Sequence, residues 1–177
     1  MKRFIPLVAI ATLATASVAA NAQGLYGELG YTPLKLEGNV SGVGVTSKPS
    51  NVRGIIGYEL NDNLAVESML SLGLRDSAVK VGGFNSGGKA EVDNMIGVFV
   101  KPKVHVGEGL EVFGRLGATR AKLSIGSENA SDTSIAYGLG ASYHINSQLS
   151  VNADYMTYHD KDDVTLKGFT VGVGYKF

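Results

Sequence analysis

The chain has 177 residues, with 16 basic and 16 acidic side chains and no cysteine. A formal net charge of zero gives no basic field for nucleic acid, and the lack of cysteine excludes a disulfide framework. The length suits one domain, and glycine is abundant at 24 residues while proline is scarce at 4. These features predict a glycine-rich fold whose stability comes from backbone pairing.

Residues 1–22 have the pattern of a secretory signal peptide. Lys2 and Arg3 precede an apolar stretch at 4–20, and Ala20-Asn21-Ala22 is a small-x-small cleavage site. A membrane-spanning helix is the alternative, but the stretch is short for a span and lacks a charged stop. We therefore expect a signal peptide at 1–22 and a single domain at 23–177. Without Lys2 and Arg3 that domain has 14 basic and 16 acidic residues, a formal charge of −2.

The rest of the chain alternates between apolar and polar residues. In the last stretch Phe169, Val171, Val173, Tyr175 and Phe177 fall on one face, and the other face is small or polar. A period of two residues indicates a β-strand. The same pattern predicts eight strands, at about 25–36, 52–60, 64–74, 91–106, 110–123, 134–145, 149–158 and 164–177.

Short turns alternate with longer links between these strands. The short turns lie at 61–63, 107–109 and 146–147, the longer links at 37–51, 75–90 and 124–133, and a modest link at 159–163. Strands of about ten residues with this alternation are typical of outer-membrane barrels. We therefore predict an all-β fold, an eight-stranded antiparallel up-and-down transmembrane β-barrel. A soluble β-sandwich or barrel is the alternative, but it would turn its bulky apolar residues inward.

Pro102 lies inside the fourth predicted strand. Proline cannot donate to a ladder, and a closed barrel has no free edge to accept one. We expect the strand either to end at Lys101 or to loosen in its last turn.

The ending Gly172-Val-Gly-Tyr-Lys-Phe177 resembles the closing strand of small eight-stranded outer-membrane barrels. That group comprises the OmpA transmembrane domain, the OmpX/Ail proteins and the opacity-type surface antigens. Residues 110–117 and 153–156 also resemble the fifth and seventh strands of outer membrane protein A. The resemblance implies a bacterial outer-membrane location. It also implies that the assembly machinery recognises the C-terminal signature formed by Val173, Tyr175 and Phe177.

Eleven charged residues fall on the inward faces of the predicted strands: Glu28, Arg53, Glu59, Glu67, Asp93, Lys101, Lys103, Glu111, Arg115, Asp154 and Lys176. They could line an ion path or form a paired plug. We favour the plug, because eight strands enclose a lumen that side chains fill, and buried charges need partners. Resemblance to the lumen of outer membrane protein A implies a charge network that contains Glu67, Lys101 or Lys103, and Asp154. The arginine that outer membrane protein A supplies near its last strand has no clear match, so we add Arg115 to the network from its inward position. In it, Arg115 is the nearest candidate partner for Glu67.

The three histidines, His105, His144 and His159, do not form a recognisable catalytic pattern. Some eight-stranded barrels are lipid A deacylases that use His, Ser and Glu, and residues 143–147 are superficially similar. However, no acid is spaced along the sequence to orient His144. Residues 159–163 are interpreted as a solvated loop and not as a metal loop. We expect no catalytic residue, no cofactor and no metal site.

These features predict a non-enzymatic outer-membrane surface protein that stabilises the membrane and displays loops for adhesion or surface contact. The alternatives are a narrow porin-like channel for ions or small solutes, a lipid-modifying enzyme and a soluble periplasmic binding barrel. The expected partners are outer-membrane lipid and lipopolysaccharide, and the barrel-assembly machinery through the C-terminal strand. We also expect a host or surface ligand at loops 37–51 and 75–90, and no nucleic acid.

Overall fold

A computed structural model of the protein is all β and describes residues 24–40, 43–75, 77–81, 84–125, 128–161 and 164–177. The predicted signal peptide lies outside these residues. The strands are β1 (Leu25–Val40), β2 (Val43–Ser47), β3 (Ser50–Asn61), β4 (Leu64–Arg75), β5 (Ser77–Val81), β6 (Phe84–His105), β7 (Leu110–Ile125), β8 (Glu128–His144), β9 (Leu149–Lys161) and β10 (Val164–Lys176). In this part of the chain no helix has the length and hydropathy to cross a membrane.

Eight of these strands form a closed antiparallel ring. Its order is β1, β3, β4, β6, β7, β8, β9 and β10, and β10 pairs back onto β1. The closing ladder runs from the Tyr26–Lys176 pair to the Gly38–Val164 pair. This ring confirms the predicted eight-stranded antiparallel barrel.

The two short strands β2 and β5 extend the ring at the end away from the short turns, here called the loop end. β2 pairs with the distal part of β1, and β5 pairs with both β2 and β6. Next to β2, the Leu34 N–H donates to the Pro49 carbonyl oxygen at 2.9 Å. The prediction that 37–51 and 75–90 are loops is therefore wrong for most of their described residues.

The strands β7, β8 and β9 also extend further into the predicted links than expected, to Ile125, from Glu128 and to Lys161. Alternating hydrophobicity marks a strand only where one of its faces meets lipid or a packed interior. The exposed residues of these extensions are polar, as Ser131, Asp132 and Thr133 of β8 and Asp160 and Lys161 of β9 show. Such residues continue the backbone ladder without the periodic signal.

The outward positions carry the apolar residues predicted for lipid contact. Exposed aromatic side chains lie at two levels, near the loop end (Tyr31, Tyr137, Tyr155, Phe169) and near the short turns (Tyr58, Tyr143, Tyr175, Phe177). Among the described outward residues between these levels, none is charged. This is the pattern of a lipid-facing belt between two interfaces.

Pro102 lies within a paired strand. It is opposite Leu64 of β4, and the following residue, Lys103, donates its N–H to the Asn63 carbonyl oxygen at 2.9 Å. The β6–β7 ladder skips Lys101 and Pro102 and resumes at Lys103 in the same register. The strand therefore does not end at Lys101 but continues to His105. Lys101 and Pro102 pair with β4 only, so the expected loosening is limited to their β7 side, and Lys103 to His105 pair with β7 again.

The inward side chains fill the lumen in two layers. The layer towards the short turns is charged and is described below. The layer towards the loop end is apolar and consists of Leu34, Leu36, Ile55, Met69, Met95, Phe99, Ala121, Ala136, Met156, Tyr158 and Leu166. Buried polar side chains also lie in this half, and they bond to one another: Asn51 donates to Ser71 at 3.1 Å, and the hydroxyls of Thr32 and Thr170 lie 3.0 Å apart. Packed thioether, aliphatic and aromatic groups fill the space beside them.

Candidate functional site

Arg115 is at the centre of the charged layer. Its guanidinium is fully buried and donates to three carboxylates: Glu67 at 2.6 and 3.1 Å, Glu28 at 2.7 Å and Asp154 at 2.7 Å. Its carbon Cζ also lies 4.5 Å from the centre of the Phe113 ring. A planar fork with five N–H donors suits this arrangement, because it can satisfy several carboxylates at once.

Arg53 forms the second arginine contact of this layer. It donates to both carboxylate oxygens of Asp154, with Nη1 2.9 Å from Oδ1, and Nη1 also lies 2.9 Å from the Tyr158 hydroxyl oxygen. Asp154 is thus bound by Arg53 of β3 and by Arg115 of β7. The Tyr158 ring belongs to the apolar layer, so this hydrogen bond joins the two layers.

Lys101 connects the arginine cluster to the short-turn end of the lumen. Its ammonium lies 3.4 Å from Glu28, 3.7 Å from Glu67 and 3.5 Å from Glu111, and 4.3 Å from the centre of the Phe113 ring. With Lys103, which also contacts Glu111, four buried cations (Arg53, Lys101, Lys103, Arg115) face four buried carboxylates (Glu28, Glu67, Glu111, Asp154). This balance is what burial of charge requires.

The end of the lumen at the short turns, here called the mouth, holds a second set of charges. Lys103 contacts Glu59 and lies 3.1 Å from Glu111, and Lys176 also contacts Glu59. These residues line a small cavity of about 40 Å³ together with Tyr26, Ser142 and His144. Such a volume admits a few water molecules or an ion with a bound water.

The structure brings four of the five predicted network residues, Glu67, Lys101, Arg115 and Asp154, into one cluster. The fifth, Lys103, lies at the mouth, and Glu111 connects it to Lys101. Sequence reasoning counted Arg53 and Glu28 as inward but did not include them in the network. No spacing rule could have done so, because their partners lie on strands distant in sequence.

Two histidines lie beside Glu111 at the mouth. His105 Nε2 is 3.5 Å and His144 Nε2 is 3.8 Å from Glu111 Oε2, and the two imidazole rings stack at 6.4 Å between centres. Glu111 is thus an acid close to His144, but the two atoms are too far apart for a hydrogen bond, so no triad-like contact orients His144. The acid comes from β7, a different strand, so no local spacing reveals it. His159, the third histidine, lies at the other end of the barrel on β9.

The loop end carries charge on its outer surface, just beyond the lipid-facing belt. Lys35 and Lys167 are direct cross-strand neighbours. Lys35 lies 2.8 Å from Glu37, and this hydrogen bond raises the pKa of the lysine and lowers that of the glutamate. The Thr133 N–H donates to Asp132 at 2.8 Å, and with Lys161 nearby it lowers the pKa of Asp132.

The closing strand presents the predicted C-terminal signature outwards. Val173, Tyr175 and Phe177 are all exposed, and the last two rings meet edge to face at 5.3 Å. The Tyr175 hydroxyl oxygen accepts a hydrogen bond from Gln148 at 2.9 Å. Recognition of this strand by assembly machinery remains a proposal.

Comparison with known proteins finds matches along most of the chain. The model of the outer membrane protein beta-barrel domain family matches residues 5–177. The attachment invasion locus protein of Yersinia pseudotuberculosis serotype I (strain IP32953) is 27% identical over an alignment of 177 residues with gaps, and the alignment covers 95% of this chain and 93% of that protein. The protein of the same name from Yersinia enterocolitica is 26% identical over 175 residues, 97% of this chain and 95% of that protein.

Solved structures show the same fold at lower identity. The attachment invasion locus protein of Yersinia pestis, in complex with the heparin analogue sucrose octasulfate, superimposes with a TM-score of 0.62 at 22% identity, covering 87% of this chain and 99% of that one. Neisserial surface protein A gives 0.62 at 19% identity, with 87% and 97% covered. The outer membrane protein OprG from Pseudomonas aeruginosa gives 0.63 at 13% identity, with 87% and 96% covered.

Proposed function

Because this chain belongs to the outer membrane protein beta-barrel domain family, we propose that it is a non-enzymatic surface protein that displays its loop end for attachment. Its location is the bacterial outer membrane. The family match confirms the resemblance carried by the closing strand. The proposal includes removal of residues 1–22 as the signal peptide and recognition of the C-terminal strand by assembly machinery.

The observation that carries the proposal is the combination of a filled lumen with a ring that continues past the lipid-facing belt. The lumen is filled by a charge-balanced layer and an apolar layer. This filling supports a function that does not depend on the passage of solutes. At the loop end β2 and β5 pair with each other and with β1 and β6. This extension forms a paired platform of backbone for surface contact.

The absence of an enzymatic role is supported by where the acidic groups lie. A lipid-modifying enzyme would need an acid, a histidine and a serine at a rim that faces lipid. Glu111 and His144 instead face the lumen at the mouth, and the Glu111 carboxylate also contacts Lys101 and Lys103. The carboxylates of the central layer are held by arginines.

Contact with lipopolysaccharide is supported by cations directly above the lipid-facing belt. Lys35 and Lys167 lie side by side across the β1–β10 ladder. Arg120 is exposed on β7, two residues before Lys122 on the same face. Exposed cations at this height are suited to bind the phosphate groups of lipopolysaccharide.

Attachment should depend on the described extension at the loop end. We expect bacteria of a non-adherent strain that express the protein to bind cultured host cells. A variant in which residues 37–47 and 77–90 are replaced by short Gly/Ser turns should lose that binding, because it keeps the lipid-facing belt but lacks the platform. The measurement is the number of attached bacteria at equal surface expression. Heat-modified migration in SDS gels verifies that the variant is folded. Equal attachment by both proteins would contradict the display role.

The wild-type barrel should be nearly silent in planar-bilayer recordings. Asp154→Ala should also stay nearly silent, because it alters the charged layer and leaves the apolar layer of Met95, Phe99 and their neighbours in place. Equal protein load and confirmed insertion are needed for both recordings. Steady openings of the wild type in most insertions would refute the filled lumen and favour the narrow porin-like channel.

A further inference from the structure

Three potential metal ligands meet at the mouth of the lumen. One atom each from His105, Glu111 and His144 lies within 4.8 Å of the other two. We propose that these side chains form a binding site for a divalent transition-metal ion of the Zn²⁺ class. Two imidazoles and one carboxylate are a donor set that such ions bind in proteins.

The register of the barrel assembles this set from three neighbouring strands. His105 of β6 and Glu111 of β7 are direct partners in the β6–β7 ladder, across the 107–109 turn. Glu111 is also the direct partner of Ser142 in β8. His144 is two residues further along, so it points to the same side as Ser142 and lies diagonal to Glu111. The site is thus built on paired strands and not on a loop.

The distances are close to those of a bound ion. Zn–N and Zn–O bonds of about 2.0–2.1 Å at tetrahedral angles place two ligand atoms about 3.3 Å apart. The observed separations from Glu111 Oε2 are 3.5 Å to His105 and 3.8 Å to His144. The third separation, between the ligand atoms of His105 and His144, lies within 4.8 Å, so side-chain rotations that bring the two imidazole nitrogens closer together would complete the geometry.

Two of the three ligand atoms lack a hydrogen bond among the described residues. They are His144 Nε2 and Glu111 Oε2, and both are buried. Glu111 Oε2 does have an ionic neighbour, because the Lys103 ammonium lies 3.1 Å away. Buried polar atoms of native proteins are normally hydrogen-bonded, so such a pair facing each other is unusual. The adjacent cavity of about 40 Å³ is lined by both residues and has room for an ion with a bound water.

The nearby cations set the strength of the site. Lys101 lies 3.5 Å from Glu111 Oε1 and leaves Oε2 free to bind metal, whereas Lys103 competes for Oε2 itself. Lys103 has a second partner, Glu59, which also holds Lys176. A metal ion can therefore bind Oε2 while the Lys103 ammonium remains with Glu59. Repulsion from Lys103 should make the wild-type affinity moderate.

The test is a calorimetric titration in which ZnCl₂ is added to the refolded, tag-free protein in detergent. We expect one ion per barrel, and at least a tenfold loss of affinity in His144→Ala and in His105→Ala. His159→Ala is the matched control, because its imidazole lies at the opposite end of the barrel, and it should bind like the wild type. CoCl₂ gives a second readout, since a tetrahedral site with these ligands absorbs visible light.

Lys103→Met distinguishes a metal site from a merely structural histidine pair. Removal of the competing cation should tighten Zn²⁺ binding by about tenfold. Each variant is first verified as folded by its heat-modified migration. Absence of stoichiometric binding to the wild type, or binding unchanged in both His105→Ala and His144→Ala, would overturn the proposal. Weaker binding in Lys103→Met would also contradict it.

Discussion

Arg115→Met should cause the largest loss of stability of any single substitution in the lumen, about 3–5 kcal/mol. The guanidinium is the shared partner of Glu28, Glu67 and Asp154. Its loss leaves excess negative charge in a space closed to solvent, and methionine keeps much of the volume, so the loss of charge dominates. The remaining cations, Arg53 and Lys101, already have their own contacts and cannot replace it fully.

The measurement is the folded fraction in lipid vesicles at increasing urea concentration, read from migration in SDS gels. Arg120→Met is the matched control, because Arg120 lies on the same strand but is exposed, and its side chain donates a 3.3 Å hydrogen bond to Ser131 and contacts no carboxylate among the described residues. Its effect should stay within about 0.5 kcal/mol. The double variant Arg115→Met with Glu67→Gln should recover part of the loss. Equal stabilities of the two single variants would show that the buried charges are not coupled.

Val171→Arg should be the most damaging of the outward substitutions, at about 2–4 kcal/mol. Val171 is 56% exposed, lies between Phe169 and Tyr175 along β10, and has Tyr31 and Ala153 as ladder partners. An arginine there would place a charge on the lipid-facing belt, where transfer of a charged side chain out of water is costly.

Thr165→Arg is the control for this substitution, because it changes the same strand and the same face beyond the lipid-facing belt. Its neighbours are Glu37 across the β1 ladder and Asp160, which accepts a hydrogen bond from the threonine at 3.2 Å. An arginine there meets carboxylates and water. Refolding yields and urea midpoints in bilayers should therefore fall for Val171→Arg only. If both variants lose stability equally, the lipid-facing assignment of this strand face would be wrong.

The barrel could be predicted from the sequence because its signal repeats in every strand. Each lipid-facing strand has one apolar face, as Phe169, Val171 and Val173 show in β10, and this period survives without an alignment. The extensions of the ring at the loop end could not be predicted. β2 has only five residues in a stretch rich in glycine and serine, so its backbone pairing leaves no periodic pattern that stands out in the sequence.

The sequence predicted which types of residue fill the lumen, but it did not predict which of them form ion pairs. The inward period identified Arg115, Glu67 and Asp154 as buried charges. The bidentate contact of Arg53 with Asp154 depends on the stagger of strands 101 residues apart in sequence. The apolar layer was visible in the inward positions of Met69, Met95 and Phe99, yet the sequence alone did not reveal that these residues meet on one level. The mouth was missed for a similar reason, since His105, Glu111 and His144 lie on three strands.

The central ion cluster also has a consequence for the order of events during insertion. Arg115 draws its partners from the first, third and seventh strands of the eight-stranded ring, at sequence separations of 87, 48 and 39 residues. While the seam between the first and last strands is open, water can still solvate these groups. Sealing the seam removes that water and completes the contacts in one step, so their stabilisation arrives only at the end of folding. A nascent barrel therefore stays hydrated inside until it closes, and closure is the event that commits it to the native state.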